Sequence, residues 1–144
     1  MIVESPYYEE INNNMVKSVL IELSKVNATY ERFEVPGSFE LPAAIRFAIG
    51  SETSNPERKK FDGYIALGCV IRGETSHYDY VCGESARGLN DLVLEYGIAL
   101  GYGVLTTENR EQAVARSSRD QHDRGGAAAR ACLAMIEIKR ELNL

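Results

Sequence analysis

The sequence has no tryptophan, four prolines, three cysteines and two histidines among its 144 residues. Cys69, Cys82 and Cys132 show no C-x-x-C spacing and are odd in number, which excludes a disulfide framework and a zinc ribbon. Each lies in an apolar or helical stretch and is expected to be a small, reduced, buried side chain. His77 and His122 are far apart and match no H-x-x-x-H pattern, so no metal site is expected. Nor is there a glycine-rich dinucleotide fingerprint or a P-loop. No apolar run approaches the ~20 residues of a membrane span, and Met1 leads straight into Ile2-Val3 without a basic region or cleavage site. Positive charge is short: 16 Lys and Arg against 21 Asp and Glu give a net charge of −5. That balance argues against a nucleic-acid stripe or a polybasic anchor. A cytoplasmic protein without nucleic-acid or membrane partners is expected.

What is present is ordinary for a globular chain, 44% hydrophobic and 26% charged. The length suits one domain, residues 1–144. Ile2-Val3 reads as a strand stub, and Ile11, Met15, Val19, Leu20 and Leu23 form a helix stripe within 11–26. Phe33 and Val35 mark a short strand ending at Pro36-Gly37. Leu41 to Ile49 reads as a helix with Pro42 in its first turn, and the polar Ser51–Lys60 stretch around Pro56 as a loop. Gly63 to Ile71 is apolar almost throughout, like a strand buried on both faces of a parallel sheet. A helix from about Ser76 to Tyr96 follows, with Ser76 and Asp79 spaced like a capping box. A strand over 98–105, interrupted by Gly101 and Gly103, leads to a helix that Asn109 and Gln112 open and that runs to about Arg116. After a polar loop, Gly125 opens a last helix with the stripe Ala131, Met135, Ile138 and Leu142. Strands alternating with helices of this length imply βαβ units and right-handed crossovers. The expected fold is a three-layer α/β/α sandwich of flavodoxin-like type around a parallel sheet.

Ligands of such sheets collect at the carboxyl ends of the strands. Three segments fall there: Val35 to Glu40, Ile71 to Asp79 and Leu105 to Asn109. In the second, Gly73 to Ser76 offer backbone N–H groups and two hydroxyls at a helix N-terminus, an anion site. His77 follows, a side chain suited to proton transfer near neutral pH. Helix capping by Thr75 and Ser76 explains the same residues equally well. Glu40 is favoured by the helix dipole in any case, and it also suits a nitrogen-rich ring walled by Phe39. Tyr7 and Tyr102 suit stacking on such a ring or a place in the core. Arg116, Arg124 and His122 lie in charged stretches that read by default as solvated surface.

The runs Val35-Pro36-Gly37-Ser38-Phe39-Glu40-Leu41-Pro42, Leu67-Gly68-Cys69-Val70-Ile71-Arg72-Gly73-Glu74-Thr75-Ser76-His77-Tyr78-Asp79-Tyr80-Val81 and Gly103-Val104-Leu105-Thr106-Thr107-Glu108-Asn109-Arg110-Glu111-Gln112-Ala113 resemble the 6,7-dimethyl-8-ribityllumazine synthases in order and spacing. The likeness covers essentially the whole chain. It implies a transferase of riboflavin biosynthesis that condenses 5-amino-6-(D-ribitylamino)uracil with L-3,4-dihydroxybutan-2-one 4-phosphate, with no cofactor. It further implies His77 as the proton-transfer residue and Glu74, Thr75 and Arg116 as phosphate-binding, Arg116 reaching in from a neighbouring subunit. Tyr7, Ser38, Phe39, Glu40, Cys69, Val70, Ile71 and Tyr102 correspond to ribitylaminouracil contacts. The chain departs from the family in having Pro6-Tyr7 where Arg-Phe is usual, and Tyr102 where Phe is common. A non-catalytic flavin or lumazine carrier of the same fold is the alternative. The resemblance also implies a homopentamer with shared active sites. Ser117–Arg124 has no glycine, where shell-forming relatives carry a Gly-rich loop. Non-glycine residues resist positive φ and charged side chains crowd a packed junction, so a pentamer or decamer is expected and a sixty-subunit shell is not.

Overall fold

Alternate side chains of the strands feed two separate cores, and this dictates a layered arrangement. The computed structural model describes residues 1–55, 57 and 60–144, apart from the side chain of residue 53. In chain order the elements are β1 (Ile2–Glu4), α1 (Glu9–Lys25), β2 (Arg32–Glu34), a one-turn 3₁₀ segment (Ser38–Glu40), α2 (Leu41–Ser54), β3 (Tyr64–Ile71), α3 (His77–Tyr96), β4 (Leu100–Thr107), α4 (Arg110–Ser117) and α5 (Arg124–Glu141). The strands pair in parallel in the order β2-β1-β3-β4. On one face Ile2, Ile65, Leu67, Cys69 and Leu105 pack against Ile11, Met15, Val19 and Leu23 of α1, Ala113 of α4 and Ala128, Ala129 and Cys132 of α5. On the other, Val3, Tyr64, Ala66 and Val104 meet Leu41 and Ile45 of α2 and Leu89 and Leu92 of α3. The fold is the α/β/α sandwich expected from the alternation of apolar runs.

Several boundaries differ from expectation. Residues 51–54 continue α2 instead of forming a loop, and of the remaining stretch Pro56, Arg58 and Lys59 lie outside the described residues. β4 is shifted two residues onward, and its two glycines do not interrupt it. They face α5: a Cβ on Gly101 would run into the carbonyl oxygen of Ala128, with the carbonyl carbon at 2.8 Å and Cys132 Cβ at 3.2 Å. This close approach inverts the expected face of α5. Gly125, Gly126, Ala128, Ala129 and Cys132 are buried, while Ala131, Met135, Ile138 and Leu142 are exposed. Only small residues fit where a helix backbone lies directly on a strand, so the bulky stripe turns outward. Of the cysteines, Cys69 and Cys132 are buried and Cys82 is only half-buried.

The 118–123 loop also behaves differently from expectation. Asp123 takes φ 44°, and its carboxylate caps α5 by accepting from the N–H of Gly126 at 3.2 Å. Aspartate is among the few residue types that tolerate this conformation. Arg119 pairs with the buried Glu22 at 3.0 Å. The loop therefore makes a left-handed turn without glycine and directs part of its charge inward.

Candidate functional site

The carboxyl end of β3 is tied to β4, where the N–H of Arg72 donates to the carbonyl of Thr107 at 2.9 Å. Beyond it Gly73, Glu74, Thr75 and Ser76 form an exposed turn into α3. The expected capping box is not formed. Ser76 is itself helical, with φ −68° and ψ −3°, and its side chain caps nothing. Asp79 turns to Arg72 instead, at 3.0 Å. Thr75 Oγ1 accepts from the N–H of His77 at 3.4 Å. Among the described residues no hydrogen bond engages the N–H groups of 73–76. Free donors at the start of a 20-residue helix favour an anion through both hydrogen bonding and the helix dipole. His77, the first residue of α3, is exposed beside them, and no described side chain hydrogen-bonds its ring. The exposed Glu74 carboxylate would repel an anion, so its contribution to such a site is the backbone.

The 3₁₀ segment seats the second part of the site. Ser38 is 5% exposed and packs over Gly68, where a Cβ would meet Ser38 Oγ and stand 3.3 Å from Ser38 Cβ and Leu41 Cδ1. The missing side chain in β3 therefore sets how closely this segment lies on the sheet. Phe39 and Glu40 project outward, Phe39 54% exposed. Val70 and Ile71 are half-buried at the end of β3. Cys69 faces the α1 and α5 core, and burial pushes its thiol up to about 12, so only its backbone can meet a ligand. The chain thus brings together 38–40, 68–71, the 73–76 turn and His77.

Among the described residues, no hydrogen bond, ion pair or ring contact joins three of the expected residues to this group. Tyr7 is 72% exposed and packs edge-on against Tyr8, ring centroids 5.1 Å apart. Tyr102 pairs with Ala66 in mid-strand, five residues short of Thr107 and so roughly 16 Å before the end of β4. Burial raises its phenol, with Cys82 and Tyr78 of α3 adding to the shift. β3 separates Tyr102 from the strand that leads to Tyr7, and no ring contact joins them among the described residues. Arg116 donates Nη1 to the carbonyl of Gln112 in its own helix at 3.2 Å, and no described hydrogen bond or ion pair carries it to the turn. A cavity of about 530 Å³ opens at the opposite, amino-terminal end of β1 and β3, bounded by Met1, Gly63, Cys132 and Arg140, and contains none of these residues.

Two charged residues were not legible as parts of the site. Arg72 donates Nη1 and Nη2 to Asp79 at 3.2 and 3.0 Å and Nε to Glu108 at 2.8 Å, with its guanidinium carbon 4.0 Å from the centroid of the Tyr78 ring. The signal in the sequence is an arginine and an aspartate bracketing one glycine-containing turn. Glu4, wholly buried at the end of β1, accepts from Asn12 Nδ2 and Arg32 Nε, both at 2.6 Å, and so anchors the start of the loop bearing Tyr7. A lone acidic residue in a strand carries no sequence signal for such a pair.

The profile of the family described as 6,7-dimethyl-8-ribityllumazine synthase matches residues 1–140. A 6,7-dimethyl-8-ribityllumazine synthase of Paramagnetospirillum magneticum is 42% identical over 144 residues, covering 100% of this chain and 96% of that protein. The 6,7-dimethyl-8-ribityllumazine synthase 1 of Rhizobium meliloti is 48% identical over 143 residues, 99% of this chain and 92% of its own length. A Bartonella tribocorum protein of the same name is 45% identical over 140 residues, 97% of this chain and 89% of its own.

Proposed function

The chain belongs to the 6,7-dimethyl-8-ribityllumazine synthase family, and we propose that its two substrates meet between the 3₁₀ segment and the Gly73–Ser76 turn, beside His77. It condenses 5-amino-6-(D-ribitylamino)uracil with L-3,4-dihydroxybutan-2-one 4-phosphate, giving 6,7-dimethyl-8-ribityllumazine, phosphate and water. The observation that carries the assignment of the site is the row of unpaired N–H groups at residues 73–76 with the imidazole of His77 at its end. These donors hold the phosphate of the ketone, Glu74 and Thr75 acting through the turn. The amine of the pyrimidine attacks the ketone carbonyl, and water leaves to form the imine. Proton removal beside the imine then expels phosphate and leaves an enol, which tautomerises to a ketone; the ribitylamino nitrogen attacks that carbonyl and a second water leaves as the new ring closes. Every step moves a proton, the task of His77, and the departing dianion stays on donors already oriented toward it. Phe39 forms an apolar wall for the pyrimidine, Glu40 accepts from its N–H groups, and Ser38 with the backbone of Cys69, Val70 and Ile71 lines the ribityl path.

Tyr7 and Tyr102 serve as aromatic contacts for the pyrimidine, and Arg116 completes the site from a neighbouring subunit in a homopentamer, or in two pentamers paired as a decamer, each subunit a single domain over 1–144. Two features support the reading. Arg116 makes no described hydrogen bond or ion pair with the 73–76 turn or His77 of its own chain. Phe47, Tyr80 and Leu94, on α2 and α3, are 74%, 68% and 76% exposed, large apolar side chains that an isolated chain leaves in water. The acidic charge and the reaction suit the cytoplasm, and no helix among the described residues is long and apolar enough to cross a membrane.

Turnover of the two substrates by the purified protein, followed as lumazine formation, tests the reading. His77→Ala should fold normally and slow the reaction by roughly 10²-fold, the lower end for a general acid–base group. Full activity in that variant removes the role. Sedimentation should find particles of about 80 or 160 kDa from 16.0-kDa chains; a fully active monomer refutes the shared site.

A further inference from the structure

The Gly73–Ser76 turn has little of its own to hold it in shape. A Cβ on Gly73 would meet nothing within 4 Å, all four residues are exposed, and Ser76 supplies no cap. Its ends are tied by two backbone hydrogen bonds, Arg72 N–H to Thr107 and Asp79 N–H to Ser76, and inside it by the long Thr75 contact. One side chain spans it. Arg72 stands at the entrance, and its guanidinium forks onto Asp79 at the exit while lying over the Tyr78 ring. The same group reaches Glu108, whose own N–H donates to Gln112 Oε1 at 3.0 Å in the first turn of α4. A single planar cation therefore joins both ends of the turn and the start of the helix that bears Arg116.

We propose that Arg72 is a positioning residue for the ketone phosphate: it braces the 73–76 turn and neutralises the carboxylates around it, and does not bind phosphate itself. This rests on the reading that the turn holds phosphate. Nε, Nη1 and Nη2 of Arg72 each donate to a carboxylate, so its guanidinium faces Asp79 and Glu108. Without it, Asp79 and Glu108 would lose the cation they share and add negative charge beside a dianion's site. Lysine keeps the charge but cannot reproduce the fork or lie flat on the ring, so it separates bracing from neutralisation. The ion pairs are largely exposed, with side chains 38% to 60% accessible, and such pairs add little to overall stability.

The test is steady-state kinetics on the unaltered protein, Arg72→Gln and Arg72→Lys, with inorganic phosphate as a competitive inhibitor and thermal unfolding alongside. Arg72→Gln should raise both the KM for the ketone phosphate and the Ki of phosphate about 10-fold, through the unbraced turn and the two carboxylates left without their cation. The KM for ribitylaminouracil should stay within about 2-fold and the unfolding midpoint within a few degrees. Arg72→Lys should recover only part of the loss. Unchanged KM and Ki in Arg72→Gln overturn the role of Arg72 while leaving the phosphate reading intact. Full recovery in Arg72→Lys overturns the bracing. Failure of inorganic phosphate to compete with the ketone phosphate in the unaltered protein overturns the phosphate reading and the proposal with it. If Arg72→Gln unfolds, Glu108→Gln removes one tether alone, and equal weakening of both substrates there also overturns the proposal.

Discussion

Replacing Gly68 by alanine places a methyl group on the face of β3 that carries the 3₁₀ segment. The added Cβ falls against Ser38 Oγ and 3.3 Å from Ser38 Cβ and Leu41 Cδ1. The hydroxyl can rotate away, but Ser38 Cβ moves only with its backbone, and Leu41 is fully buried. The segment must therefore rise by a few tenths of an ångström. Overpacking a well-filled core costs about 1–3 kcal/mol, and one methyl against one rotatable group belongs near the lower end, about 1 kcal/mol. At this chain length that lowers the unfolding midpoint by about 2–4 °C. The consequence for activity should be larger than the consequence for stability, because the displaced segment bears Phe39 and Glu40. Misplacement of positioning groups by 1 Å can cost about 10²-fold, so a shift of a fraction of that should raise the KM for ribitylaminouracil about 10-fold. The 73–76 turn lies past the end of the same strand and is not pushed, so the KM for the ketone phosphate should change less than about 2-fold. Steady-state kinetics with each substrate varied in turn reads both values. Ser38→Gly deletes the atoms in the way, and the double variant should behave like Ser38→Gly alone. Wild-type kinetics and stability in Gly68→Ala would refute the reasoning, as would equal loss of both substrates.

Arg116→Ala should raise the KM for the ketone phosphate by roughly 10- to 100-fold, the range for one charge-assisted hydrogen bond, and affect ribitylaminouracil far less. Mixing this variant with His77→Ala and reassembling the subunits should restore part of the activity if the two residues serve one site from neighbouring chains; no restoration, with mixed particles verified, counts against sharing. Glu22 is buried to 4% exposure among Lys25, Arg119 and Arg130, and hydrogen bonding to Lys25 leads the interactions that hold its carboxyl below the ordinary value of 4.5. A lowered folded pKa means a stability contribution present in full above the usual carboxylate range and lost as pH falls through the folded value. Glu22→Gln should therefore lower stability by about 1–2 kcal/mol at pH 7, between exposed and buried pairs because its partners are half exposed. It should also flatten the decline of the unfolding midpoint below about pH 5, and a parallel acid decline in both proteins would contradict this.

The fold was written in hydrophobic patterning, because burial dictates it locally. Gly63 to Ile71 reads as a strand covered on both faces, and Ile11 to Leu23 as one side of a helix, and both form. The candidate site was legible wherever its parts are contiguous, as in Gly73 to His77, since a glycine-containing turn into a helix leaves its own donors exposed. It was not legible where a contact spans the chain. The face of α5 is decided by Gly101, a strand residue that admits the Ala128 backbone and so forces the bulky stripe outward. Ser76 looked like a cap, and only the competing fork of Arg72 explains why Asp79 left it. Residue types and spacing determined this protein's family, layers and donors. Which side chains hold those donors in place is a matter of approach distances between elements far apart in sequence, and those exist only once the sheet has brought them together.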